Sequence, residues 1–282
     1  RPKPGGLNEY GIAAYKVPDE FAQREVAFLL AIGGIDIRNG QALGRDVTLA
    51  DLRRDYDAVF LGMGLGGVRK LDLPGEDMDG VRNAVDYIAE LRQAPDLKAL
   101  PVGRRVVVIG GGNTAIDIAV QAKRLGAEDV TLVYRRGPEA MSATHHEQDF
   151  AQVNGVRVKH WAQPKALLGE GGRLSGVTFE YTRLEGGRLA GTGETFTLEA
   201  DMLFKAIGQT TSPLSQANGG SEALQMQGDR IAVGPDRRTS LPDVWAGGDC
   251  VAISEDLTVA AVQDGKLAAE AIDAFLTGRN SG

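Results

Sequence analysis

Between residues 104 and 136 the chain reads RRVVVIGGGNTAIDIAVQAKRLGAEDVTLVYRR, and no other stretch constrains its fold as tightly. Residues 106–109 are wholly apolar, as a strand buried on both faces of a parallel sheet must be. The run ends in Gly110-Gly111-Gly112-Asn113-Thr114-Ala115, a G-x-G-x-x-A turn. Gly110 permits the tight turn, Gly112 lets a pyrophosphate approach the backbone, and Ala115 lets helix and strand pack closely. Ile116, Ala119, Val120 and Leu125 then recur at helical spacing before Gly126 stops the helix. That helix N-terminus offers amides and a dipole to a phosphate without any basic side chain. Residues 130–134 form a second strand and close a βαβ unit.

A glycine fingerprint alone is a weak signal. The strand before it and the helix and strand after it are the context that makes it a dinucleotide site; the alternative is a Gly-rich turn with no ligand. The end of the second strand bears on which dinucleotide. Units that take NAD place Asp or Glu there, about 20 residues past the glycines, to accept from the ribose 2′-OH. This chain has Tyr134-Arg135-Arg136 instead. Two guanidinium forks and no carboxylate suit the 2′-phosphate of NADPH. If the arginines only solvate a strand end, NADH remains the alternative.

At 282 residues the chain has room for one large or two modest domains, with ample core for either. Its 31 basic and 38 acidic residues give a net charge of −7, so nothing suggests nucleic acid or an anionic membrane surface as a partner. There is no run of about 18 apolar residues to cross a membrane. The polar opening Arg1-Pro2-Lys3-Pro4 is not a signal peptide, and a cytoplasmic location is the expectation. The first residue is Arg rather than Met, as in a fragment. A single cysteine, Cys250, excludes an internal disulfide, a C-x-x-C redox pair and a four-Cys cluster. His145, His146 and His160 are too few for a His-rich metal site, and no metal ligand set is expected.

Elsewhere the pattern alternates between helix and strand. Pro18-Asp19-Glu20 opens a helix that Gly33-Gly34 end, and 35–37 reads as a short strand. Residues 57–61 read as a buried strand closed by Gly62-Met63-Gly64-Leu65-Gly66-Gly67, and 83–91 as a helix. Thr144-His145-His146-Glu147 has the form of a capping box for a helix reaching about Val153. Residues 156–158, 177–181 and 196–198 alternate apolar and polar positions, the pattern of antiparallel strands with one exposed face. Residues 202–207 return to a buried strand ending at Gly208.

The last third carries a second specific signal. Val244-Trp245-Ala246-Gly247-Gly248-Asp249 is a strand ending in Gly-Gly-Asp, and Thr258 opens a helix of small residues. Asp249 is placed to accept from a sugar or ribityl hydroxyl, and a helix N-terminus near Thr258 faces a partly negative ring edge. Asp249 alone would read as a turn acid. Joined to that helix and to the upstream fingerprint, it reads as a flavin contact.

The two signals together resemble flavoprotein pyridine-nucleotide oxidoreductases with two dinucleotide-binding domains. Gly5-Gly6-Leu7, Tyr10-Gly11-Ile12, Leu73-Pro74-Gly75-Glu76, Tyr134-Arg135-Arg136 and Ala206-Ile207-Gly208-Gln209 narrow the resemblance. They are similar to the glutamate synthase small subunit and the NADPH–FAD portion of dihydropyrimidine dehydrogenase. The resemblance implies an α/β fold of two Rossmann-like domains, glutathione-reductase-like, with a three-layer ββα nucleotide domain. It implies an FAD domain from 1–79 with 209–282 and an NAD(P)H domain at 80–208. The family's FAD domain begins with its own strand, glycine fingerprint and helix; this chain opens beyond them, so that domain is expected to be N-terminally truncated.

By position, the resemblance puts FAD on Gly6, Leu7, Lys16, Leu43, Gly248, Asp249, Leu257, Thr258 and Val259. It puts NADPH on Gly111, Gly112, Asn113, Thr114, Arg135, Arg136, Ala206, Ile207 and Gly208. The family often has Arg where Lys16 stands. The implied activity is hydride transfer from NAD(P)H to FAD, with electrons passing to a large catalytic partner that carries iron–sulfur or FMN centres. The cofactor carries that chemistry, so no catalytic side chain is named. A dinucleotide-binding module without turnover is the alternative. A thioredoxin-reductase-like disulfide chemistry is set aside, because Cys250 has no mate.

Overall fold

A computed structural model describes residues 1–17, 20–211 and 223–279. In chain order its first elements are α1 (Gly6–Tyr10), α2 (Phe21–Leu30), α3 (Leu49–Asp55), β1 (Val59–Leu61) and β2 (Gly67–Val68). Next come β3 (Val81–Asn83), α4 (Ala84–Gln93), β4 (Arg105–Gly110), α5 (Asn113–Arg124), β5 (Asp129–Val133), α6 (His145–Val153) and β6 (Arg157–Lys159). Three long strands follow, β7 (Ala162–Glu170), β8 (Arg173–Glu185) and β9 (Arg188–Glu199), and then β10 (Met202–Ala206). The chain closes with β11 (Gln209–Thr210), β12 (Met226–Gln227), β13 (Arg230–Ile231), β14 (Val244–Ala246) and α7 (Thr258–Arg279).

Compactness divides the chain into two units. The larger holds Lys3–Ile35 and Val68–Gly208; the smaller holds Arg1–Pro2, Asp36–Gly67 and Gln209–Gly282. The FAD domain expected from the resemblance, 1–79 with 209–282, also takes in 3–35 and 68–79. Hydrogen bonds explain why 3–35 belongs to the larger unit. The Arg92 guanidinium, at the end of α4, donates to the carbonyls of Val17 at 2.6 Å and of Asn8 and Glu9 at 3.1 Å each.

In the larger unit five parallel strands lie in the order β3-β10-β4-β5-β6. The apolar run of β4 is buried on both faces. Val106 and Val108 pack with Tyr87, Ile88, Ile116 and Ala119 of α4 and α5. Val107 and Ile109 pack with Leu203, Val177 and Phe179 beneath the antiparallel sheet β7-β8-β9. Helices, parallel sheet and antiparallel sheet make the three layers that the resemblance implies. In the smaller unit β1 and β14 pair in parallel, with Val59 beside Val244. Leu49, Leu61, Ile231, Leu241, Cys250 and Val251 build a separate core there.

Several local readings change. Residues 156–158 were expected to be antiparallel, but β6 pairs in parallel with β5, Val158 beside Leu132. Alternation reports one covered face, and an edge strand of a parallel sheet has that too. Residues 35–37 form no strand; Ile35 and Ile37 are exposed and no partner strand is present among the described residues. Pro18 and Asp19 lie outside the described residues, and α2 begins at Phe21 behind Glu20 at φ +66°. Thr144 does cap α6, accepting from the Glu147 amide at 3.3 Å. The return half of the box is not made, because the Glu147 carboxylate pairs with Lys16 at 3.0 Å.

Candidate functional site

The glycine turn sits at the C-terminal end of β4, in the middle of the five-stranded sheet. Each glycine has its own reason. Gly110 lies beside Ala206 of β10, at φ +153°, and a Cβ there would collide with the Ala206 carbonyl oxygen. A Cβ on Gly111 would run into the Tyr134 ring. Around Gly112 the situation differs. A Cβ there would meet the Ser142 hydroxyl at 3.1 Å and nothing else within 4 Å among the described residues. Gly112 is the N-cap of α5, no side chain caps it, and the first turn carries no acid. The first turn of α5 thus presents its amides with no side-chain cap and no acid of its own, which is what a pyrophosphate requires.

Three predicted segments converge at this sheet edge. Asn113 and Thr114 form the first turn of α5. Ala206 ends β10 next to Gly110, and Gly208 follows at φ +103°. One residue earlier, Lys205 is anchored to Glu76 of the Leu73-Pro74-Gly75-Glu76 turn at 2.7 Å. Burial works to raise the Glu76 carboxyl, but the Lys205 ammonium and backbone donors hold it below the usual carboxylate range. Arg135 and Arg136 follow the end of β5, both exposed. Among the described residues neither guanidinium has an ion-pair partner. The loop after them returns over the glycines, with the Ala143 amide donating to the Gly111 carbonyl at 3.1 Å. This brings Ser142 to the mouth of the cradle, a neighbour that no local pattern announced.

The residues expected to hold flavin fall into two groups. Gly6, Leu7 and Lys16 are in the larger unit. Gly6 sits at φ +55° and Leu7 is exposed. Lys16 pairs with Asp117 at 2.6 Å and Glu147 at 3.0 Å. Asp117 lies buried in α5 and also accepts from the Tyr15 hydroxyl at 3.0 Å and the Ala13 amide at 3.4 Å. Burial raises the Asp117 carboxyl, and those three donors offset the rise only in part. No local pattern announced this network, which joins Asp117 to residues about a hundred positions earlier in the chain.

In the smaller unit Leu43 packs against the local core. Gly248 takes φ +73°, and its amide donates to the buried Asp264 carboxylate at 2.8 Å. Asp264 also accepts from Arg237 Nε at 2.6 Å. Burial opposes ionisation of Asp264, yet the Gly248 amide and the Arg237 guanidinium prevail and hold its carboxyl below the usual range. The neighbouring Asp249 moves the other way. Burial, then repulsion by Asp256, raises it, with Arg230 offsetting. Leu257 and Val259, flanking Thr258 at the start of α7, are exposed apolar side chains. The Cys250 thiol is buried, near the Leu61 and Gly247 carbonyls at 3.4 and 3.2 Å, and burial pushes its pKa up.

The family model of the pyridine nucleotide-disulphide oxidoreductases matches residues 6–265. The chain belongs to that family. It is 36% identical to the small chain of the NADPH glutamate synthase of Escherichia coli, over 96% of this chain and 61% of that protein. It is 35% identical to the beta subunit of an NADP⁺-dependent formate dehydrogenase of Moorella thermoacetica, over 98% of this chain and 39% of that protein. The chain thus spans less than two thirds of either relative. Among solved structures, Mycobacterium tuberculosis FprA in complex with NADPH aligns with a TM-score of 0.77 at 20% identity, over all of this chain and 77% of that one. The thioredoxin reductase of T. acidophilum aligns at 0.70 and 20%, over 96% of this chain and 86% of that one. These likenesses bear on the fold, two Rossmann-like domains.

Membership in the pyridine nucleotide-disulphide oxidoreductases implies FAD and NAD(P)H as the groups that the residues must fit. The residues fit the two cofactors unequally. The uncapped start of α5, with room for close approach at Gly112, fits a dinucleotide pyrophosphate. In the smaller unit Gly248, Asp249 and the start of α7 fit the ribityl and ring portions of FAD. There β14 leads through Gly247 into one turn of 3-10 helix, Gly248–Cys250, rather than into an α-helix. No group of three or more His, Cys, Asp or Glu among the described residues is placed to hold a metal ion. No described helix is long and apolar enough to cross a membrane.

Proposed function

We propose that this chain is the NADPH-receiving part of an electron-input subunit. The observation that carries this reading is the open space at Gly112 on the uncapped N-terminus of α5. The two uncommitted arginines at the end of β5 support it. Bound there, the nicotinamide nucleotide would supply hydride chemistry toward FAD, and a partner would take the electrons. The chain's own contribution is binding and orientation. The α5 amides hold the pyrophosphate, and Arg135 and Arg136 pair with the 2′-phosphate. Ala206, Ile207 and Gly208 line the nicotinamide end. Gly6, Leu7, Lys16, Leu43, Gly248, Asp249, Leu257, Thr258 and Val259 serve the flavin, Lys16 through its ion pairs rather than as a free cation.

The relatives are named as a small chain and a beta subunit, which supports a partner subunit as electron acceptor. We assign that partner the character of a large catalytic subunit with iron–sulfur or FMN centres. Binding without turnover is the second reading, and the Gly248 amide's engagement by Asp264 rather than by a ligand phosphate is consistent with it.

Titration of NADPH and NADH into the wild-type chain and Arg135→Ala tests the assignment. NADPH should bind more tightly to wild type. Arg135→Ala should weaken NADPH about ten- to hundred-fold, the range for losing one charge-assisted contact, and leave NADH unchanged. Equal affinities in wild type would overturn the 2′-phosphate assignment.

A further inference from the structure

Arg135 and Arg136 lie past the last rung of the parallel ladder. β5 pairs with β4 and β6 only as far as Val133. Their side chains make no ion pair among the described residues, so the backbone alone decides where the two forks point. That backbone is held from the antiparallel layer. The buried Thr182 on β8 donates its hydroxyl to the Arg135 carbonyl at 2.8 Å. The Trp161 amide donates to the Arg136 carbonyl at 3.2 Å, and the Thr182 amide donates to the Trp161 carbonyl at 2.9 Å.

Two irregularities make this arrangement. Trp161 takes φ +59°, a left-handed conformation that is unfavourable for a tryptophan and persists only where its surroundings demand it. On β8, Val177 and Phe179 face the core, so strict alternation would turn residue 182 outward. The register of β8 against β9 shifts between Glu180 and Thr182, and Thr182 is buried. Bulges re-aim side chains in this way, often beside functional sites. Both distortions serve the same two carbonyls.

We propose that Thr182 is a positioning residue for 2′-phosphate selectivity, its hydroxyl orienting the Arg135-Arg136 backbone so that both guanidiniums reach one phosphate. This deepens the NADPH reading and rests on it. It also gives the β7-β8-β9 layer a part in the nucleotide site.

The experiment compares the NADPH:NADH affinity ratio in wild type, Thr182→Val, Thr182→Ser and Arg135→Ala, with thermal unfolding of each. Thr182→Val keeps the shape and removes the donor. It should lower the ratio about three- to ten-fold through NADPH alone, with NADH affinity held. Thr182→Ser keeps a hydroxyl and should restore the ratio. If Thr182→Val folds poorly, Thr182→Ala removes the same donor without a branched side chain and carries the same expectation. An unchanged ratio in the folded hydroxyl-free variants, with Arg135→Ala lowering it, overturns this proposal and leaves the arginine assignment standing. Equal losses of NADPH and NADH would make Thr182 merely structural and overturn it as well. An unchanged ratio in Arg135→Ala would overturn the arginine assignment itself.

Discussion

The larger unit presents its glycine turn at the end of β4, flanked by β10 on one side and β5 on the other. The smaller presents Gly247-Gly248-Asp249 at the end of β14, in a two-stranded sheet with β1. The first turn is shaped by packing, with Ala206 against Gly110 and Tyr134 against Gly111. The second is held by a buried charge pair, Asp264 with Arg237, whose carboxylate also takes the Gly248 amide. Where neighbouring strands close around a turn, sterics fix it. With fewer strands, a directional and ionisable contact does that work. The contrast makes the second turn dependent on a titrating group, the Asp264 carboxylate.

The largest expected contrast is in cofactor retention. The chain should hold NADPH more tightly than FAD. The first amides of α5 carry no side-chain cap, whereas the Gly248 amide in the smaller unit is already taken by the Asp264 carboxylate. A stoichiometric flavin absorbance band after purification would erase the contrast between the units.

Next in size, Gly112→Val should cost at least about a hundred-fold in NADPH affinity by filling the pyrophosphate space. Gly112 has φ −100° and only Ser142 within reach, so the fold should tolerate the change. Circular dichroism beside a nucleotide titration checks both halves. Normal binding would move the phosphate elsewhere.

On the other side of the comparison, Asp264→Ala leaves the mostly buried Arg237 unpaired. It should destabilise the smaller unit by about 2–4 kcal/mol. The sign of its pH dependence follows from the depressed carboxyl. The contribution is fully present above the ordinary carboxylate pKa, about 4, and is lost as pH falls through the lower folded value. Melting temperatures of wild type and Asp264→Asn should therefore converge in acid. A constant gap from neutral pH downward would show that the pair does not hold this turn.

The smallest effect concerns α6, whose capping box is half made. Thr144→Ala should cost about 1 kcal/mol in denaturant unfolding. Glu147→Gln should act through Lys16 rather than through the cap. A double-mutant cycle between Glu147 and Lys16 measures that coupling.

The segments with a strong local period could be read directly. The apolar run of β4, the glycine turn and α5 follow from sterics and helical spacing within a short stretch. For the same reason the turn at Gly112 and the strand end before Arg135 and Arg136 could be placed in advance. Weaker local patterns misled. The alternation at 156–158 recorded one covered face but not the direction of its partner, and Ile35 and Ile37 had apolar character with no strand to pair. The Thr144 and Glu147 spacing suited a capping box, yet a lysine 131 positions upstream competes for the carboxylate.

What the sequence by itself determined is the nucleotide-binding unit, because glycine sterics, helix periodicity and strand burial are local properties that neighbouring residues can specify. Only the tertiary structure decided the groups that set its geometry. Ser142 over Gly112, Asp117 beneath Lys16, Asp264 behind Gly248 and Thr182 behind Arg135 are each polar residues of no distinctive pattern. Asp117 and Thr182 meet partners 101 and 47 positions away. Their roles come from burial and hydrogen bonds that exist only after the chain has folded, since a polar group is forced to find a partner only once water is excluded.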